Sequence, residues 1–440
     1  MRMRILPGGR RPRVKSGAPQ WTAWQVVVGF GAISLMVDVV ADGARSVAGP
    51  LLGELGATAL VVGLVTGAAE ALGYTLRLAT GPLVDRTGRY WGFTIVGYAV
   101  TGLSVPLLAF TPFLGAIGLS VAATLILLER TGKAVRTPAK TVLLGFAAGA
   151  VGRGRGFAVH KLFDQLGAFG GPLLVAALIA TTGSLWPAFA ALSIPAVLAF
   201  AMLLWMRSRV PDPSVYEPGQ VSDETAVAGR EDETEATVRG GAAAPVGSAG
   251  QDGLPLTFLL FSVSTGLIMF GLVGFGVISF HLIDSDLVEL AAVPLVFAAG
   301  TLAAAAAALG SGWAYDHIGG AVLLVVPFLV AGVPALSLSP TLAGALLGVV
   351  LWGAAMGVQD STVKALVADL VPSPRRGTAY GVFAVFQGAG AFAGAAFAGA
   401  LYPDAAQLSL ITVPAQAVAL VLLIAVVRRQ RRLARVPAPD

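Results

Sequence analysis

Apolar runs of about twenty residues follow one another along nearly the whole chain, and a run of that length is what a helix needs to cross a bilayer's hydrocarbon core. Lipid offers no hydrogen-bond partners to the backbone, so each run has to satisfy its own peptide groups. Of the 440 residues, 56% are hydrophobic and 12% charged, about half the charge of an ordinary soluble chain. An all-α membrane protein is expected, with twelve spans. The first six lie near 24–48, 58–80, 91–111, 114–137, 157–181 and 186–206. The second six lie near 256–280, 287–310, 321–338, 342–368, 378–401 and 406–427. Between the sets, 208–254 carries Pro211, Pro213, the acidic run Glu231–Asp232–Glu233 and a Gly/Ala/Ser tail. That composition cannot build a core and predicts a flexible linker. The expected division is a basic N-terminus over 1–23, a bundle over 24–207, the linker, a bundle over 255–427 and a basic tail over 428–440.

The two sets repeat one another. G-P-L-V-D-R-T-G-R-Y at 81–90 and G-W-A-Y-D-H-I-G-G at 312–320 place Gly81 with Gly312, Asp85 with Asp316 and Gly88 with Gly319. F-D-Q-L-G-A-F-G-G at 163–171 aligns with F-Q-G-A-G-A-F-A-G at 386–394, so that Asp164 corresponds to Gln387. Two related halves of this kind are a transporter architecture.

Basic residues set the expected orientation. Arg2 to Lys15, Arg86 and Arg89, Lys140, Arg153 and Arg155, Arg207 and Arg209, Arg375 and Arg376, and Arg428 to Arg432 all fall on one side of a twelve-span chain. The opposite loops hold only acids, among them Glu54, Asp284, Asp286 and Asp404. The positive-inside rule then puts both termini and the linker in the cytoplasm, and the chain in the cytoplasmic membrane. The basic N-terminus leads into a first span rather than a removed signal peptide. A net charge of +5 is explained by this bias and implies no nucleic-acid partner. There are no cysteines, and the histidines at 160, 281 and 317 are too scattered for a zinc site. No Walker motif or nucleophile elbow occurs, so neither ATP hydrolysis nor an enzyme is expected, and no cofactor.

At these residues the chain resembles the major facilitator superfamily of secondary transporters, over essentially its whole length. Gly81, Leu83, Asp85, Arg86, Gly88 and Arg89 match the superfamily signature G-x-L-x-D-R-x-G-R-R/K, with Tyr90 at the final base. E-R-T-G-K-A-V-R-T-P at 129–138 and H-K-L-F-D-Q-L-G-A-F-G-G-P at 160–172 look like a prokaryotic, permease-like branch. The resemblance implies two six-helix bundles around a central cavity and alternating access. Gly167, Gly171 and Pro172 fit the span-5 pattern of proton-driven exporters, although Val175 and Ala176 replace its final glycine pair. In the span-4 exporter pattern R-x-x-Q-G, Ile126 stands at the arginine and Glu129 at the glutamine.

Charges within spans are costly unless they face a cavity or a partner, which makes them functional candidates. Asp38, Asp42 and Arg45 share one face of span 1. Glu70 is expected at the depth of Asp38, with Arg77 two turns away on its own face. Two such carboxylates are suited to accept a proton on one side and release it on the other. Alternatively, this group forms ion pairs that lock spans 1 and 2. On spans 4 and 5, Arg130 and Asp164 come at similar depth and can pair, His160 and Asp164 stand four residues apart, and all three are expected to face the cavity. Lys133, Arg136 and Lys161 are expected to reach the headgroups. Asp85, Arg86 and Arg89, and in the second half Asp316, are expected to hold the halves together on the inside. Gln387 and Gln359 offer neutral hydrogen bonding. Trp352, Phe270, Phe275, Phe383 and Phe386 either wall a cavity or pack among helices.

The expected function is movement of a small molecule by a monomeric, proton-coupled carrier, with export by antiport ahead of uptake of an organic anion by symport. A membrane sensor is the remote alternative.

Overall fold

The computed structural model describes residues 21–216, 254–372, 375–402 and 404–433. The basic residues of the first twenty positions, most of the expected linker and the tail beyond 433 lie outside the described residues. So do the side chains of Lys364, Arg376, Arg431 and Arg432.

The first half comprises α1 (Ala23–Ser46), α2 (Ala48–Glu54), α3 (Ala59–Thr87), α4 (Tyr90–Leu107), α5 (Gly118–Val151), α6 (Arg153–Thr182), α7 (Leu185–Ala191) and α8 (Ser193–Arg209). The second comprises α9 (Leu256–Gly271), α10 (Phe275–Asp284), α11 (Val293–Ile318), α12 (Val326–Ser337), α13 (Leu342–Leu370), α14 (Arg376–Ala400) and α15 (Ala405–Leu433). Short 3-10 turns make the remaining described elements.

Among the described residues, ten stretches are long and apolar enough to span a membrane. One runs 62 residues, Tyr90–Val151, and another 48, Leu290–Ser337. At ~1.5 Å per residue each far exceeds a single crossing of ~30 Å. Each is also broken, the first by the turn Leu108–Ile117 with Gly115 at φ 55°, the second at Gly319. Counting each as two crossings gives the expected twelve.

Local chemistry accounts for the helix ends. Thr22 accepts from the Gln25 amide while the Gln25 side chain accepts from Thr22, a reciprocal cap that starts α1. Thr58 and Thr341 cap α3 and α13 through the hydroxyl alone. Gly88 and Gly319, matched in the repeat, end α3 and α11 with φ of 61° and 62°. A side chain there would be strained, so the repeat conserves its spacing at the one point where the backbone demands glycine.

Several boundaries differ from expectation. Residues 81–87, expected in a loop, are the last two turns of α3, and 138–151 continue α5. Helices that protrude from the bilayer can be polar, so a hydropathy window stops short of their true ends. The start of the expected linker is ordered too. Val210 and Pro213 are buried, and the Tyr216 hydroxyl donates to the Trp21 carbonyl at 2.5 Å. Span 7 is split, with extended backbone at Leu272 and Gly274 between α9 and α10.

Within the first half α1 packs along α6 and α8, and α4 along α5. In the second, α11 packs along α13, and α9 along α14 and α15. The halves meet where α3 lies against α14, α6 against α11 and α2 against α10.

Candidate functional site

The α3–α14 seam is not parallel. A β-carbon on Gly63 would stand 2.2 Å from the Ala395 carbonyl oxygen, and one on Gly399 2.4 Å from that of Ala59. Further along, the nearest approaches widen to 3.3 Å at Gly388 and 3.3 Å at Gly381, and Gly73 and Gly81 meet nothing within 4 Å. The α2–α10 seam is tight at the same end as Gly63: a β-carbon on Gly49 would lie 2.1 Å from the Gly276 carbonyl oxygen. The halves therefore close at the end bearing Asp284 and splay at the end bearing Asp85.

The splay opens a vestibule of about 580 Å³ that runs from Asp85 and Tyr380 inward to Arg45, Glu70 and Arg130. Above it lies a chamber of about 80 Å³ walled by Leu51, Val105, Ile126, Leu272, Phe275 and Trp352 among others. Arg45, Glu70, Tyr74, Arg130 and Met356 line both, and so form the floor between them. The extended backbone at Leu272 and Gly274 borders the chamber, the kind of place where irregular backbone is tolerated at membrane depth.

The floor is an ionic cluster from three helices. Arg45 of α1 donates through Nη2 to Glu70 Oε1 of α3 at 2.5 Å. Arg130 of α5 reaches the same oxygen at 3.2 Å and the Glu129 carboxylate at 3.4 Å. Two cations and two anions thus share a site whose side chains are mostly buried. A carboxylate held by two guanidiniums can be released by a proton or by a competing anion.

A second cluster joins α1, α5 and α6. The Arg136 guanidinium lies 4.0 Å from Asp38, donates to Thr101 Oγ1 at 3.0 Å and stands 4.7 Å from the Tyr98 ring centre. Lys140 donates to Ser34 Oγ at 2.8 Å and to His160 Nε2 at 3.0 Å. His160 Nε2 is 3.5 Å from Asp164. Lysine can only donate, so it fixes the His160 proton on Nδ1, which has no hydrogen-bond partner.

The structure thus sorts the candidate residues. Arg45, Glu70 and Arg130 come together, and Arg77, Asp85 and Gln387 line the same vestibule. The expected Arg130–Asp164 pair does not form: Glu70 and Glu129 take Arg130, and Asp164 lies 3.5 Å from His160 with its Oδ1 unpartnered among the described residues. Asp38 does not share the cavity with Glu70, since it faces Arg136 in the second cluster. Arg136 is 4% exposed and does not snorkel, Lys133 lines the vestibule, and Lys161 is exposed. Lys140, expected in a loop, is an interior hydrogen-bond donor. Asp42 is buried without an ion pair among the described residues. Asp85, Arg86, Arg89 and Asp316 are exposed, and no ion pair joins them across the open end among the described residues. Gly167 and Gly171 seat α6 on α1: β-carbons there would lie 2.4 Å from the Leu35 and Val39 carbonyl oxygens. Trp352, Phe275 and Phe383 line cavities, while Phe270 packs edge-on against Phe397. Tyr74, which sequence reasoning missed, sits four residues from Glu70 and three from Arg77, on their helical face.

A two-halved helical bundle with a central cavity open at one end defines a transporter fold. The chain belongs to the Major Facilitator Superfamily, whose profile matches residues 31–395 and 262–439. It is 43% identical over 416 residues to an uncharacterized protein of Mycobacterium tuberculosis H37Rv, covering 94% of this chain and 96% of that one, and equally to a Mycobacterium bovis protein. Its fold is similar to that of a mutant form of the nucleoside transporter NupG (TM-score 0.67, 12% identity, covering 91% of this chain and 99% of that one). It is also similar to a bacterial homologue of the human lysosomal transporter Spinster, facing inward and unoccupied (TM-score 0.63, 14% identity, 97% and 100%). The inward-open xylose transporter XylE of E. coli is a third (TM-score 0.63, 10% identity, 92% and 95%). The protein is a multi-pass membrane transporter, in a family whose members are carriers of small molecules rather than enzymes.

Proposed function

We propose that this carrier is a monomeric, proton-coupled transporter of the cytoplasmic membrane, with its basic end, termini and 208–254 linker in the cytoplasm and its bundles at 24–207 and 255–427. On that orientation the vestibule opens inward. The observation that carries the reading is Glu70 Oε1 shared between Arg45 and Arg130 at the floor between chamber and vestibule. A proton on Glu70 breaks its bond to the arginines, and its loss restores it, so proton binding alters the contact between α1, α3 and α5.

Two directions run on such a cycle. The span-5 glycines that favour export are used here to seat α6 on α1 and carry no charge to exchange. The arginine pair favours uptake, because protonating Glu70 leaves one net positive charge on Arg45, Arg130 and Glu129 that an anion neutralises, and uptake is our reading. One pH unit is worth about 1.4 kcal/mol, roughly tenfold accumulation. The substrates named for the structural neighbours, nucleosides and xylose among them, differ from one another, so the fold alone does not select one.

The test is solute-driven proton uptake into proteoliposomes screened against a panel of compounds. Wild type is expected to acidify the lumen with its substrate, and Glu70→Gln to bind that substrate without moving protons. Proton movement undiminished in Glu70→Gln removes Glu70 from the coupling.

A further inference from the structure

We propose that the substrate is an amphipathic organic monoanion, a carboxylate bearing a single ring or a short branched alkyl group, for which Glu70 stands in when the site is empty. The inference rests on the reading of Glu70 as the proton carrier and adds the chemistry of the solute.

Three features of the site lead there. The first is charge. Arg45 and Arg130 are balanced by Glu70 and Glu129, and side-chain exposures of 9–29% leave them little water. A buried site tolerates exchange only if its total charge is kept. A monoanion on the arginines together with a proton on Glu70 keeps it, whereas a cation or a dianion does not. The second is geometry. Both guanidiniums converge on one carboxylate oxygen, which is already the arrangement a substrate carboxylate needs. The third is shape. Above that floor the chamber is apolar apart from Glu129 and Thr66, and its volume of about 80 Å³, continuous with the vestibule at the floor, suits one small apolar group. Trp352 and Phe275, 5.5 Å apart between ring centres, form one wall. The solute's charge sits at the floor, its apolar group points up, and it enters and leaves through the vestibule.

The charged and titratable groups around Glu70 are Asp42 and Arg45 from α1, Glu129, Arg130 and Lys133 from α5, Tyr74, Arg77 and, at the vestibule mouth, Asp85 on α3 itself, and Asp360 from α13 across the vestibule. α14 contributes Tyr380 and the neutral Gln387. Glu129 keeps Arg130, but Arg45 has no acid partner besides Glu70 among the described ion pairs, so the incoming anion takes the place that a protonated Glu70 gives up.

The probe is 3-phenylpropionate, with propionate, 3-phenylpropionamide and 3-phenylpropylammonium as comparators, and binding to the purified full chain is measured by equilibrium dialysis. 3-Phenylpropionate is expected to bind at least about tenfold more tightly than each comparator. Its affinity should rise as pH falls, by at most about tenfold per unit, because one proton binds with it. Glu70→Gln should bind it about tenfold more tightly than wild type at pH 7, without that pH dependence. Arg45→Gln, checked for folding by gel filtration and thermal melting, should weaken it about tenfold. Tighter binding of the ammonium compound, weaker anion binding in Glu70→Gln, or no binding of 3-phenylpropionate at about 10 mM overturns the proposal. Anion binding with this signature but no proton movement in liposomes leaves the proposal standing and sinks the coupling reading. Proton-coupled flux of the amide or the ammonium compound does the reverse.

Discussion

At the scale of single residues, the same chemistry does different work in the two clusters. Glu70 is shared between cations at a cavity floor, while Asp38 faces Arg136 among packed helices. Removing one member of a buried pair strands the other, at a cost of about 3 kcal/mol. Asp38→Asn is therefore expected to lower the unfolding free energy by about that amount while proton coupling survives, as read by melting in detergent and by flux in liposomes. Lost coupling with unchanged stability would assign Asp38 to proton transfer instead. At the closed end, Tyr402 donates to Asp284 at 2.7 Å, and His281 accepts or donates within 3.2 Å of both Tyr402 and Ser285 while holding the Ser339 carbonyl at 2.9 Å. Burial, and then the bond to Asp284, push the Tyr402 hydroxyl up from its ordinary 10 to about 12. The folded state keeps the proton more tightly, so this contact contributes fully below pH 10 and is lost as pH rises through about 12. The stability difference between wild type and Tyr402→Phe should accordingly be flat below pH 10 and shrink above it. A difference that grows with pH contradicts this assignment.

At the scale of helices, glycine decides where the halves touch. The seams α2–α10 and α3–α14 are closed by direct backbone approach, which any side chain would hold apart. Gly49→Val and Gly63→Val should each prevent closure of the Asp284 end and shift the carrier towards the opposite conformation. The chain has no cysteine, so a single one placed at Asp286, beside this seam, reports the change. Its labelling rate is expected to rise several-fold in either valine variant, and unchanged labelling would show that the seam yields without opening. The element scale is also where sequence reading was weakest. The split of span 7 at Leu272–Gly274 leaves no hydropathic trace, because both pieces are apolar. The extension of α3 to Thr87 was hidden for the opposite reason, since its last turn carries Asp85, Arg86 and Thr87, all exposed.

At the scale of the whole molecule, charge is segregated. The hollow at the closed end is lined by Glu54, Asp284, Asp286 and Glu289 without a base, while the vestibule carries Arg45, Arg77, Arg130 and Lys133 beside three acids. A monoanion and a proton crossing together move no net charge. Uptake should therefore follow the pH gradient and ignore an imposed membrane potential of either sign, tested with potassium and valinomycin at fixed pH. A marked response to potential alone would require a different stoichiometry.

Periodic hydrophobicity, the basic bias and the doubled Gly–Asp–Gly spacing already specified a helical carrier of two related halves, because lipid leaves the backbone few choices and each motif is local along the chain. The sequence also isolated nearly all the ionisable groups that matter. It could not say which of them meet. Arg130 lies 60 residues from Glu70 and 34 from Asp164 in sequence, and helix rotation and tilt alone awarded it to Glu70. Partner choice among buried charges depends on a few ångströms of three-dimensional approach, set here by glycine seams between distant helices, and no spacing along one chain encodes that distance.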